Sequence, residues 1–242
     1  GAEEFLNGID RWCLWLGDTP PQELRALPEV MKRIEAVRKF RLASKSTPTQ
    51  RLAATPTRFH FEFKPKSPYL LVPSVSSERR EVVPIGFMPP DVIASNLVLT
   101  IPDATLYHFA ILNSTMHNAW LRAVGGRLES RYRYSASIVY NNFPWPEPTV
   151  AQRVAIEAAA QSILDARAKY PDATLADLYD PLTMPTELRR AHQANDRAVD
   201  AAYGYRGERA DAPRVAFLFA LYQRLTSLLP APKASRSRTA SR

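Results

Sequence analysis

Near residue 148 the apolar pattern of this 242-residue chain changes period, and that change limits the folds open to it. Before it, short runs of β-forming residues are separated by proline-rich turns, with two helical stretches among them. After it, to about residue 229, the chain is alanine-rich and its apolar residues recur at helical spacing. Strand side chains alternate with period two and helical ones return every 3.6 residues, so one pattern cannot serve both. The expected fold class is α+β: a mixed or antiparallel short-stranded domain with two or more helices over residues 1–147, then a small α-helical domain over 148–229. Residues 230–242 combine Pro, Ala and Ser with Lys233, Arg236, Arg238 and Arg242 and hold no acid, the composition of a disordered basic tail.

Within the first zone, Arg11–Leu16 reads as a strand. Pro28 to about Ser44 reads as a helix, with Val30, Ile34, Val37 and Phe40 as its stripe. Thr57–Lys64 alternates Phe59, Phe61 and Phe63 with polar residues, as a half-buried strand does. Tyr69–Val72, Arg80–Phe87 and Leu97–Ile101 are further expected strands. Asp103 is placed to cap one helix running to about Val124, where Gly125-Gly126 stops it. Strands are expected next at Arg127–Tyr134 and Ile138–Asn142. The second zone predicts helices over Val150–Lys169 and Glu187–Tyr203, a short segment near Leu175–Tyr179, and a last helix from Asp211. That helix has Pro213 in its first turn and a stripe of Val215, Leu218, Phe219, Tyr222 and Leu225.

Several function classes find no support. No run of about 18 apolar residues offers a membrane span, and the N-terminus, Ala2-Glu3-Glu4, lacks a signal sequence's apolar region. The chain begins at Gly1 and meets the run Trp12–Leu16 almost at once, which suggests a segment of a longer polypeptide. Cys13 has no second cysteine to pair with, and a reducing, cytoplasmic setting fits. Eight glycines form neither G-x-G-x-x-G nor a P-loop, and G-x-S-x-G and H-E-x-x-H are both missing. His60, His108, His117 and His192 are scattered and read as structural. Glu62-Phe63-Lys64 resembles half of a nuclease metal site, but such a site needs an upstream acid, usually after a proline, and the one candidate, Pro28-Glu29, begins a helix. Asn141-Asn142-Phe143-Pro144-Trp145-Pro146 lacks the adjacent prolines of the Asn-Pro-Pro-aromatic loop that amino-methyltransferases place against a flipped base, and reads as a strand end anchored by two aromatics. The chain therefore carries no catalytic motif or metal site of its own.

The formal charge of +8 suggests a polyanionic partner, but four of those charges lie in the tail, leaving about +4 elsewhere. The positions of the charges matter more than their sum. In Gly126–Ser135, an extended chain would set Arg127, Glu129, Arg131 and Arg133 on one face, with Leu128, Tyr132 and Tyr134 on the other. Same-face neighbours then lie about 6.6–6.8 Å apart, near two base-pair steps. Arginine can donate twice to guanine and glutamate can accept from cytosine, so such a ladder could read a major groove. A self-neutralising, solvated ladder fits the same residues. Ser76, Ser77, Arg79 and Arg80 suit phosphate contacts or a polar turn. Arg38 and Arg41, on the first helix, suit phosphate binding or a mixed solvated face.

Taken together, Trp12-Cys13-Leu14-Trp15-Leu16, Arg38-x-x-Arg41-x-x-Ser44, Ser76-Ser77-Glu78-Arg79-Arg80, Met116-His117-x-x-Trp120, Gly126-Arg127-Leu128, Tyr132-Arg133-Tyr134-Ser135 and Tyr140-Asn141-Asn142-Phe143-Pro144-Trp145-Pro146 resemble one family. These segments resemble the region after the catalytic domain in type IIG or IIL (MmeI-like) restriction–modification enzymes and class I DNA adenine methyltransferases. The resemblance covers residues 1–148 and, more weakly, the helical zone. It implies a target-recognition module for double-stranded DNA, with a covalently linked adenine-N6 methyltransferase that uses S-adenosylmethionine. It further implies that Glu129, Arg131 and Arg133 read bases, with residues near Leu97 contributing; in that setting Arg127, Ser76, Ser77, Arg79, Arg80, Arg38 and Arg41 are the expected phosphate contacts. Two readings compete: a protein-interaction or assembly module built on the helical zone, and a nuclease built on Glu62 and Lys64.

Overall fold

The computed structural model describes residues 1–62 and 64–227; Phe63 and the expected basic tail lie outside the described residues. In chain order the helices and strands are α1 (Ala2–Asn7), α2 (Pro21–Arg25), α3 (Pro28–Leu42), α4 (Thr47–Arg51), β1 (Tyr69–Pro73), β2 (Val75–Ser76), β3 (Gly86–Met88), β4 (Val98–Pro102), α5 (Leu106–Leu112), α6 (Thr115–Val124), β5 (Gly126–Leu128), β6 (Arg131–Arg133), α7 (Val150–Ala168), α8 (Leu175–Leu178), α9 (Thr186–Tyr203) and α10 (Asp211–Thr226). The class is α+β, with short antiparallel sheets and a helical C-terminal half. Among the described residues no helix is long and apolar enough to cross a membrane. The chain divides into two compact units, Asp10–Lys64 and the remainder.

The larger unit grows from β1, the middle strand of the antiparallel sheet β3-β1-β4. Its residues Tyr69 to Val72 are buried on both faces. Leu70 and Val72 enter the main core, whereas Tyr69 and Leu71 join Val98 and Phe5 of α1 in a smaller cluster on the other side. A strand covered on both faces reads as a continuous apolar run, and Tyr69-Leu70-Leu71-Val72 is one. The main core joins residues from before and after position 148: Phe109, Met116, Trp120 and Phe143 pack with Ile156, Ile163, Leu188 and Leu218. Helix α7 buries Ile156, Ala160 and Ile163 and packs along α9, with the small Ala160 and Ala191 among the side chains buried between the sheets and helices.

The expected single helix from Asp103 is two helices. Asp103 has a φ of 54°, and the first cap is Thr105, whose exchange of hydrogen bonds with His108 forms a capping box. Asn113-Ser114 ends α5, and the Ser114 hydroxyl accepts from the His117 amide at 3.2 Å to start α6. Serine and asparagine side chains compete for backbone hydrogen bonds, so this polar pair inside an apolar run permits a new cap. The expected strand Arg80–Phe87 shortens to Gly86–Met88, because only those residues meet a partner, on β1. The expected strand Ile138–Asn142 is instead a π-helical turn, Ala136–Tyr140. There the Trp120 indole donates to the Val139 carbonyl at 3.0 Å, and Asn142 donates to the Ser137 carbonyl at 2.7 Å. Phe143 is buried and Trp145 half-buried, so the two aromatics do anchor the segment, but from a turn.

The smaller unit holds α2, α3, α4 and a 3-10 turn at Leu52–Ala54 around Leu24, Ile34 and Ala53. Helix α3 matches its sequence pattern, although Phe40 at the end of the stripe is exposed. Neither expected strand forms: Arg11–Leu16 is irregular, and the described part of Thr57–Lys64 is a series of turns. A strand needs a ladder partner for its amides and carbonyls, and among the described residues this unit has no strand at all. Trp12 consequently stands 91% exposed, Phe61 is exposed, and Phe59 stacks on Trp15 at 5.4 Å between ring centres. Glu62 is engaged locally, accepting from Arg58 at 2.6 Å and from the Phe59 amide.

Candidate nucleic-acid interface

Arg127–Tyr134, expected as one strand, is part of a hairpin that begins at Gly126. Gly126 faces Arg133, Arg127 faces Tyr132 and Leu128 faces Arg131, leaving Glu129-Ser130 as a two-residue turn. Glu129 takes a φ of 57°, whereas Ser130 has no positive φ. A positive φ at the first of two turn residues matches the right-handed twist of the flanking strands and is ordinarily filled by glycine. The sequence places glutamate there, so the usual Asn-Gly or Gly-X hairpin signal is absent.

The reversal redistributes the expected ladder. Directly opposed residues share a face, so Arg127 lies with Tyr132 while Arg131 and Arg133 lie with Leu128 on the opposite face. The Arg127 guanidinium sits 4.0 Å from the centre of the Tyr132 ring and donates to the Ser130 carbonyl at 3.1 Å, bracing the turn. Glu129 leaves the pleat for the hairpin tip, its side chain 78% exposed, and pairs with Arg131 at 2.8 Å. Arg133 is exposed and makes no ion pair among the described residues. Arg131 and Arg133 keep the i, i+2 spacing of a strand, about 6.6–6.8 Å.

The hairpin is the outer part of a second sheet, β2-β6-β5, in which Val75 faces Arg133 and Ser76 faces Tyr132. Ser74 joins this sheet to the first. Its amide and hydroxyl donate to the Leu97 carbonyl at 3.3 and 2.6 Å, and its own carbonyl accepts from the Tyr134 amide at 2.8 Å. The exposed Leu97 is thereby held at the root of the hairpin sheet. Below the hairpin, the buried Tyr134 hydroxyl and His117 Nε2 lie 2.8 Å apart, which fixes β6 to α6. Burial lowers the His117 pKa to about 3 and pushes Tyr134 well up, so this contact joins two neutral groups.

The expected phosphate contacts fall into three places. Arg79 and Arg80 lie in the turn after β2; Arg79 is exposed and 3.7 Å from Asp180, while Arg80 is half-buried. Burial lowers the Arg80 pKa and the Asp180 charge opposes that shift. Ser77 caps this turn, its hydroxyl accepting from the Arg79 amide at 3.3 Å. Ser76, however, is only 5% exposed, and its hydroxyl is buried without a hydrogen-bond partner. Arg38 and Arg41 belong to the smaller unit. Arg38 is exposed, but Arg41 donates to the carbonyls of Leu52, Thr55 and Arg58 at 2.8, 2.9 and 2.6 Å, clamping α3 to the turns after it. A guanidinium so committed holds the fold.

Sequence reasoning missed Arg214, which is 2% exposed inside a helix face of apolar residues and forms a two-pronged ion pair with Asp200. The signal was present as an arginine three residues after the helix start, with Asp200 on the preceding helix, but only tertiary structure pairs them.

Comparison with known proteins gives a consistent answer. The family model described as the MmeI target recognition domain matches residues 1–147, and that described as the MmeI C-terminal domain matches residues 149–230. DNA methyltransferase A of Bacillus subtilis (strain 168) is 41% identical over 226 residues, covering 93% of this chain and 26% of that protein. The type IIL restriction–modification enzyme MmeI, solved in complex with DNA, superposes with a TM-score of 0.92 at 53% identity, covering 94% of this chain and 30% of that one. The chain thus spans about a quarter to a third of the relatives it matches. It belongs to the MmeI target-recognition-domain family.

Proposed function

We propose that the chain reads duplex DNA for a restriction–modification enzyme that methylates adenine at N6. The observation that carries this reading is the exposed β5–β6 hairpin, with a carboxylate at its tip and two arginines along one face. A major groove admits a two-stranded β-ribbon, and these are the side chains that pair with cytosine and guanine edges. Glu129, Arg131 and Arg133 would read bases, Leu97 would add an apolar contact beside them, and Arg127 would hold the hairpin while reaching a phosphate. Arg79, Arg80, Ser77 and Arg38 would set register on the backbone; Arg41 and Ser76 would support the fold beneath. The match to an enzyme described with bound DNA and to a DNA methyltransferase supports the same assignment.

The partner domain would be a covalently linked methyltransferase, to which the module presents one adenine in register. S-adenosylmethionine would be that domain's cofactor. Four of the glycines serve the ends of elements: Gly8 and Gly204 close helices at positive φ, and Gly125-Gly126 joins α6 to the hairpin. No glycines here are spaced as a nucleotide cradle, so the linked domain would hold the cofactor.

Salt titration of duplex binding tests the reading. Affinity should fall steeply and linearly with the logarithm of salt concentration as counterions are released. Selection from a randomised duplex pool should recover one motif, and Arg131→Ala should cost about 1–3 kcal/mol on it while relaxing one base position. Equal loss on every sequence would remove Arg131 from base reading. A second reading, a protein-interaction module, draws on the exposed Trp12, Phe40 and Phe61 of the smaller unit; it requires that no salt-dependent DNA affinity exist.

A further inference from the structure

The α9–α10 loop and the neighbouring face of α9 enclose a cleft of about 570 Å³ whose lining charges are unevenly matched. Arg197, Arg206, Arg209 and Arg214 line it, against Asp196 and Asp200. Both acids are already engaged. Asp200 is gripped by Arg214, and Asp196 accepts from the Thr115 amide at 2.7 Å and the Thr115 hydroxyl at 2.5 Å. Arg197, Arg206 and Arg209 make no ion pair among the described residues, and Arg206 and Arg209 are exposed. The loop that carries two of them is built rather than slack. Gly204 turns it at a φ of 64°, Tyr205 packs on Phe217 at 5.2 Å and lies beneath the Arg214 guanidinium, and its hydroxyl donates to the Glu208 carbonyl at 2.7 Å. Glu208 itself does not line the cleft.

Three unpaired guanidiniums over a cleft whose acids are spent suit a ligand with several phosphates. Their reach suits a duplex already engaged by the hairpin. Thr115 lines the cleft and opens α6, and the hairpin starts directly after the end of α6. Ten helical residues span about 15 Å at roughly 1.5 Å each, close to the half-turn of a duplex, about 17 Å. We infer that Arg197, Arg206 and Arg209 form a sequence-independent phosphate clamp for the same DNA, placing backbone anchorage in the helical half of the chain. The inference rests on the DNA-reading function proposed above.

The test uses the full-length parent protein carrying Arg197→Ala, Arg206→Ala and Arg209→Ala together, with a triple lysine variant as the charge-preserving control. Binding is measured against salt on the pool-selected duplex and on a mixed-sequence duplex. The alanine variant should weaken both duplexes by the same factor and make the salt dependence shallower by about 2–3 in log–log slope, near 0.9 for each phosphate no longer neutralised. The lysine variant should restore most of the slope, and the selected motif should stay unchanged in all three proteins. An unchanged slope with wild-type affinity overturns the clamp while leaving the hairpin reading intact. A wild-type protein with no salt-dependent binding to either duplex instead defeats the DNA-reading function itself.

Discussion

Glu129 occupies a conformation that costs an L-residue on the order of 1 kcal/mol or more, at an exposed tip where, among the described residues, its carboxylate meets only Arg131. Glycine would suit that backbone better. Glu129→Gly should therefore leave the thermal midpoint of the parent protein unchanged or raised, while pool selection loses preference at one base position. A lowered midpoint with unchanged selectivity would show the glutamate to be structural. Arg214 presents the opposite case. Its truncation would leave Asp200, which is only partly exposed, facing the space where its partner stood. Arg214→Ala should cost roughly 2–4 kcal/mol in denaturant unfolding, because removing one member of a buried pair forfeits the pairing and keeps the desolvation. The sequence marks both residues only as charged. What separates them is a dihedral angle at one and a burial at the other.

At the level of elements, α6 and the hairpin are joined by His117 and Tyr134, and the turn after α8 is joined to α9 by Tyr179 and His192, whose Oη and Nε2 lie 2.7 Å apart. Burial lowers both histidine pKa values to about 3, from an unfolded value near 6.5. Between those limits the unfolded chain binds a proton at each histidine that the folded chain refuses. Stability is thus fully present above about pH 6.5 and is lost as pH falls towards 3, by about 1.4 kcal/mol per pH unit for each histidine. Urea titrations at pH 7 and pH 5 should show this loss, and His117→Gln should shrink it by about one proton. A stability independent of pH over that interval would rule out the neutral buried imidazoles. The helices themselves were legible: α3, α7, α9 and α10 begin and end within a few residues of their sequence patterns. The strands were less so. Four to eight apolar residues specify an extended run, but only a partner makes it a strand, and the missing turn glycine concealed the hairpin.

Across the whole molecule, the two units differ in how much apolar surface they bury. The larger one gathers the strands and the C-terminal helices around a main core and a smaller cluster, whereas among the described residues of Asp10–Lys64 only Leu24, Ile34 and Ala53 are buried. Local stability follows burial, so amides of α3 should exchange with solvent well before those of α6, α7 and α9. Equal protection throughout would contradict this. By itself the sequence determined the α+β class, the long helices, the strand β1 and the family, because periodicity, caps and motif strings are local properties of neighbouring residues. Tertiary structure alone decided that 126–134 reverses, that Arg41 and Arg214 are spent on the fold, and that three arginines gather over one cleft. Those outcomes depend on which carbonyl, carboxylate or strand edge comes within hydrogen-bond reach, and that is set by contacts between residues far apart in the chain.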